Sequence, residues 1–152
     1  MKRSISFSIL IICLSLSSYR FSATSDVQDK IVAFCLDHLG KKVDRGECWD
    51  LAAAALNYAG AKWSPPFNFG TKYDYKKQAI QAGDIIQFEK VVIKITNGEY
   101  DLPHHTAVVV KAYGGLKCQI AHQNVAGKKT VQLLDLDFSQ VKKGKVQLYR
   151  PS

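Results

Sequence analysis

Gly46-Glu47-Cys48-Trp49-Asp50-Leu51-Ala52-Ala53-Ala54-Ala55-Leu56-Asn57-Tyr58-Ala59-Gly60 joins a loop glycine, a cysteine and an alanine-rich stretch that stops on a second glycine. Leu51, Ala52, Ala55 and Leu56 recur at helical spacing, which predicts a helix from Cys48 to about Ala59 with Gly60 as its stop. Alanines on several sides let neighbouring elements approach closely, so this helix is expected to be central and its first turn rigid. Cys48 stands in that first turn. Unpaired backbone N–H groups and the positive end of the helix dipole favour a thiolate there, so Cys48 is a candidate nucleophile.

Upstream, a first helix is expected from Asp26 to Leu39. Ser25 and Gln28 are spaced as a capping box, and Gly40 marks the stop. Val27, Ile31, Phe34, Cys35 and Leu39 make its apolar stripe. His38, near its end, reads as a surface or capping residue. Downstream, residues 61–82 carry Trp63, Pro65, Pro66, Phe67, Phe69, Tyr73 and Tyr75 with little periodicity. They form an aromatic loop that either packs the core edge or walls a binding cleft. After Gly83 the pattern becomes β-rich: strands are expected over 84–89, 91–96, 105–113, 117–122, 129–134 and 145–149, with Asn97-Gly98 and Gly114-Gly115 as turns. Helices first and an antiparallel sheet after them describe an α+β domain.

Residues 1–23 read as a secretory signal: Lys2 and Arg3 are basic, Ile5 to Leu16 apolar, and Ser17 to Ala23 mostly small. Cleavage falls after Ala23 or after Ser18. The apolar run is shorter than the roughly 20 residues that span a bilayer. Cys13 lacks the small preceding residue of a lipid-modified cysteine. The product, residues 24–152, is one domain with a single core, expected outside the cytoplasm and monomeric.

The whole chain has 21 basic and 13 acidic residues, a formal net charge of +8. Loss of Lys2, Arg3 and Arg20 leaves about +5. That suits a solvated basic surface or contact with an anionic wall or membrane surface. The lysines are scattered in pairs with no basic aromatic motif, so nucleic acid is not an expected partner. Cys35, Cys48 and Cys118 remain, an odd number. Either Cys35 and Cys118 pair, leaving Cys48 free, or both are buried thiols.

A cysteine nucleophile needs a base, and the base a third group that fixes its tautomer. Cys48, His105 and His122 supply these in chain order. Alternation along His105-Thr106-Ala107-Val108-Val109 puts His105 on the face of Ala107 and Val109, and small Ala107 leaves room there for the Cys48 helix. His104 competes with His105 but, following Pro103, is expected in the loop. Asn124 competes with His122, because alternate residues of an extended segment share a face. The backbone N–H of Cys48 is the expected oxyanion donor. Cys48, His104, His105 and His122 lack the close paired spacing of a zinc site and no glycine-rich phosphate loop is present, so neither metal nor organic cofactor is expected.

On these residues the chain resembles the NlpC-type and CHAP-type cysteine peptidases and amidases, in which a nucleophile-bearing helix packs on an antiparallel sheet. The resemblance lies in Gly46-Glu47-Cys48-Trp49-Asp50-Leu51-Ala52, Gly83-Asp84-Ile85-Ile86-Gln87-Phe88, His105-Thr106-Ala107-Val108-Val109 and Ile120-Ala121-His122, in that order. It implies a papain-like fold with Cys48 as nucleophile, His105 as base and His122 as third polar residue. The implied activity is amide hydrolysis, with peptidoglycan peptides or other peptides as substrate. The same series is similar to a papain-like module at the end of some fungal actin-patch proteins. The alternatives are a catalytically silent domain that binds a partner in the same cleft, and an exported effector acting on protein. Glu47 before the cysteine and Trp49 after it depart from the bacterial pattern; a carboxylate there disfavours the thiolate.

Overall fold

A computed structural model describes residues 25–152. The expected signal segment and Cys13 lie outside them. Helix α1 runs Asp26–Asp37 and opens with the expected capping box: Gln28 N donates to Ser25 Oγ (3.3 Å) and Ser25 N to Gln28 Oε1 (3.2 Å). Ile31 and Cys35 are fully buried. The helix stops two residues before Leu39, because Leu39 pairs in parallel with Val131 and is drawn out of the helical path. Leu39 is therefore partly exposed rather than in the buried stripe. His38 caps the end, its Nδ1 lying 2.8 Å from Phe34 O and its ring stacked on Phe34.

Helix α2 spans Cys48–Ala59, with Gly60 in the left-handed conformation after it. Leu51, Ala52, Ala55 and Leu56 are all fully buried. This short-side-chain face packs on α1 and on the sheet.

The strands are β1 Thr71–Tyr73, β2 Ile85–Ile95, β3 Gly98–Gly114, β4 Lys117–His122, β5 Gln132–Asp137 and β6 Val141–Arg150, with a 3-10 turn at Phe138–Gln140. They form one sheet in the order β1-β6-β2-β3-β4-β5, each pair antiparallel. Two expected strands, 84–89 and 91–96, are one bent strand. Lys90 sits at the bend at φ 51, and the register against β6 shifts between Glu89 and Val92. Gly144 of β6 makes room for the bend: a Cβ there would lie 2.3 Å from Lys90 O.

β3 begins earlier than His105. Its pairs with β2 run Glu89↔His104 and Val91↔Leu102, so Pro103 falls opposite the bulged Lys90, where its missing N–H breaks no ladder bond. His104 is thus a strand residue and not a loop residue. β1 arises inside the expected aromatic loop, where Thr71, Lys72 and Tyr73 pair with Arg150, Tyr149 and Leu148.

The sheet is buried on both faces. Ile85, Val108, Val110 and Ala121 face the helices with Ile31, Leu51, Ala55 and Leu56. Ile86, Phe88, Ala107, Val109, Cys118 and Ile120 face the other way, under Ile80 and Phe138. Cys35 and Cys118 lie in different clusters and are free, so the pairing left open by the sequence does not form. Burial pushes both thiols up to about 12.

Candidate active site

The segment before α2 is held from the end of β4. Gln123 is 1 % exposed and makes three hydrogen bonds: Val43 N donates to its Oε1 (3.2 Å), and its Nε2 donates to Val43 O (3.1 Å) and Glu47 O (2.7 Å). Asn124 Nδ2 and Lys129 Nζ donate to the two Glu47 carboxylate oxygens at 2.5 and 2.8 Å. Asp50 caps the helix by accepting from Glu47 N (3.1 Å), and Arg45 holds its other oxygen (2.7 Å). Gly46, at φ 85, lets this loop approach Lys129, whose Cβ would lie 2.9 Å from an added methyl.

Cys48 is thereby fixed as the first residue of α2, half-buried. Its thiol is raised above the ordinary value, against the expectation of an acidic helix-start thiol. Burial is the largest cause, and the neighbouring Glu47 carboxylate adds to it. The backbone amides of Thr106, Trp49 and Cys48 itself act the other way and are outweighed.

His105 and His122 meet. His105 Nε2 lies 3.2 Å from His122 Nδ1, with the rings edge to face at 89°. They are 3 % and 4 % exposed. Burial lowers His105 to about 3, with His122 and His104 adding to the effect, and burial lowers His122 to about 4. Two neutral imidazoles share one proton in this contact. If His105 donates from Nε2, its Nδ1 keeps the lone pair, and Nδ1 has no hydrogen bond among the described residues.

The three expected site residues are not all joined. α2 packs on the Val108 and Val110 face of β3, whereas His105 shares its face with Ala107 and Val109, in the cluster away from the helices. The expected helix-facing His105 is therefore corrected: Cys48 meets β3 at the amide of Thr106, one residue along. No hydrogen bond joins Cys48 to His105 among the described residues. Of the rivals, Asn124 serves Glu47 rather than a histidine. His104 lies on the Thr106 face, its Nδ1 3.1 Å from Glu89 and its ring edge-on to Phe67 at 5.1 Å.

Sequence reasoning missed Gln87 and Gln123. Gln87 is 1 % exposed and accepts from Thr106 Oγ1 at 2.7 Å, under the strand residue that Cys48 touches. A polar residue in the middle of the apolar run Ile85-Ile86-Gln87-Phe88 was the available signal. Gln123 follows the last strand residue and carries no periodic signal.

This arrangement of a cysteine at a helix start beside a histidine-bearing antiparallel sheet agrees with a family model, the AIM3/BBC1 cysteine proteinase-fold domain, which matches residues 21–152. The chain belongs to this family. The AIM3/BBC1 domain described here is also 28 % identical over 146 residues to Altered inheritance of mitochondria protein 3 of Debaryomyces hansenii, a match that covers 80 % of this chain and 15 % of that protein. Among solved structures it is similar to Ly7917 with the hydrolyzing product of MDP, at TM-score 0.50 and 19 % identity over 82 % of this chain and 63 % of that one. A second structure of Ly7917 matches at TM-score 0.48 and 18 % identity, over 80 % and 62 %. The AIM3/BBC1 domain thus has the cysteine-proteinase fold, the broad form of the likeness read from its sequence.

Proposed function

We propose that this domain is a cysteine hydrolase that cleaves an amide bond in a peptide, with Cys48 as nucleophile, His105 as base and His122 as the residue that sets the tautomer of His105. The observation that carries this reading is the His105–His122 contact. With His105 donating from Nε2, the contact leaves Nδ1 as the basic position, one residue along β3 from the Thr106 amide that acts on the Cys48 sulfur but on the other face of the strand. The thiol proton passes to His105 Nδ1 as sulfur bonds to the substrate carbonyl, a transfer that requires the imidazole to come round to the α2 side of β3, since in this structure it lies on the opposite face. The Cys48 N–H at the helix start stabilises the oxyanion. The proton then passes to the leaving amine as the C–N bond breaks, and water releases the acid from the thioester.

Peptidoglycan stem peptides are the first substrate class within this reading. Support comes from the NlpC-type and CHAP-type likeness of the sequence and from the fold shared with Ly7917, whose structure holds a hydrolysis product of MDP. Export by the segment 1–23, action as a monomer and contact of the basic surface with an anionic wall belong to the same proposal.

A second reading, a catalytically silent cleft that binds its partner, is favoured by one observation: raised thiol and lowered imidazoles leave Cys48 and His105 both neutral near pH 7. Incubation with muramyl peptides and plain peptides, followed by mass spectrometry, separates the two. The hydrolase releases fragments, and Cys48→Ser abolishes release while keeping binding. Binding without release by the unaltered chain establishes the silent cleft.

A further inference from the structure

Along α2 lies a hollow of about 350 Å³ lined by Trp49 and Trp63, by Ala53 and Ala54, and by the polar side chains of Asp44 and Asn57. The two indole rings are 5.7 Å apart and inclined at 58°, so they form a bent aromatic wall rather than a stack. Each is fixed through its ring N–H: Trp49 Nε1 donates to Pro66 O and Trp63 Nε1 to Asn57 Oδ1, both at 2.9 Å. With their polar edges tied to the protein, both rings remain only half-buried and offer fixed apolar faces. The alanines at positions 53 and 54 keep the hollow open.

The polar groups that line it decide what fits. Asp50 also borders the hollow, but its oxygens are taken by Arg45 and by Glu47 N. Asn57 must present Oδ1 to Trp63, because the indole only donates, so its Nδ2 hydrogens are left without a partner among the described residues. Asp44 is exposed and supplies an acceptor, its contact with Arg45 being 3.9 Å long. An acceptor and a donor therefore flank fixed aromatic faces. A cation has no use for the Asn57 donors and an anion none for the Asp44 carboxylate, whereas hydroxyl groups both donate and accept. The C–H face of a sugar ring is apolar and flat enough to cover an indole. A concave site with apolar walls and a few placed polar groups is the ordinary form of a small-ligand pocket.

We infer that this hollow is a binding site for a pyranose ring, which stacks on Trp49 and Trp63 and hydrogen-bonds to Asp44 and Asn57. Trp49 follows Cys48 in the first turn of α2, but the thiol itself does not line the hollow. The site does not depend on turnover by Cys48, so the inference stands apart from the hydrolase reading.

The chain holds two tryptophans, so its two indole N–H signals in a proton–nitrogen correlation spectrum report on this hollow alone. The full chain with Cys48→Ser is titrated with the trisaccharide of N-acetylglucosamine. Both signals should shift and saturate at millimolar sugar. Asn57→Asp keeps the acceptor for Trp63 and removes the Nδ2 hydrogens; Asp44→Gly removes the acceptor at a φ of 50° that glycine adopts freely. Each should weaken binding about five- to tenfold, the effect of one hydrogen bond, with indole dispersion unchanged. No saturable shift, or equal affinity in both variants, overturns the inference. A shift caused by tetramethylammonium and not by the trisaccharide overturns it in favour of a cation site.

Discussion

Gln123 Nε2 donates to Glu47 O at 2.7 Å, so the residue that follows His122 grips the residue that precedes Cys48. Its other bonds go to both backbone groups of Val43. Gln123→Ala should cost about 2–4 kcal/mol, since it strands buried backbone groups as well as removing the bonds. Asn124→Ala, which loses one bond to a partly exposed carboxylate, should cost about 1 kcal/mol or less. Urea unfolding of the two variants checks the difference; equal costs would remove Gln123 from this role.

Cys48 should alkylate with a midpoint above that of an ordinary thiol of about 8.5. Glu47→Gln should lower the midpoint, because it removes the carboxylate that opposes the thiolate. Cys35 and Cys118, buried on opposite faces of the sheet, should label only on unfolding. Peptide mapping of alkylation rates against pH reads all three. A Cys48 midpoint below the ordinary value would contradict the burial argument.

The histidine pair makes the fold acid-sensitive. Both imidazoles are lowered in the folded state, to about 3 and about 4, so the unfolded chain binds more protons below its ordinary value of about 6.5. Their stabilising effect is fully present above that pH and is lost as pH falls toward 4. Each histidine should contribute a slope of up to about 1.4 kcal/mol per pH unit in that window. His122→Leu should reduce the slope measured by denaturant unfolding at several pH values; an unchanged slope would place the sensitivity elsewhere.

Asp84 has no exposed side-chain surface and gathers Arg150 Nε and Nη2 (both 3.0 Å), Tyr73 Oη (2.6 Å) and Gln81 N (2.7 Å). It ties the start of β2 to the ends of β6 and β1. Asp84→Ala leaves a part-buried guanidinium unpaired and should cost about 3–5 kcal/mol. Thermal or urea unfolding measures it, and a loss of less than 1 kcal/mol would count against the ion-pair account.

Particular residues show where sequence reading stops. The bounds of α2 and the capping box of α1 were legible because both are local: cap, period and glycine stop lie within one turn of each other. β3 was read short because Pro103 is a breaker on its own, and becomes harmless only opposite the bulge at Lys90 on another strand. The alternation of His105 with Ala107 was legible, but not which face the helix covers, since that depends on where α1 and α2 settle. The Cys48 acidity failed similarly. Helix dipole is a local property, whereas the desolvation that outweighs it comes from the packed neighbours.

Register has a chemical meaning in this sheet. His104, His105 and Thr106 stand in succession on β3, and successive residues point to opposite sides. A slip of that strand by a single position would interchange the surroundings of the two adjacent imidazoles, carrying the solvated one into the interior and the dry one out beside the thiol. The bend at Lys90, with Pro103 across from it and Gly144 behind it, acts as the keyway that forbids the slip. A small backbone irregularity remote from the sulfur thus selects which histidine is wet and which is dry.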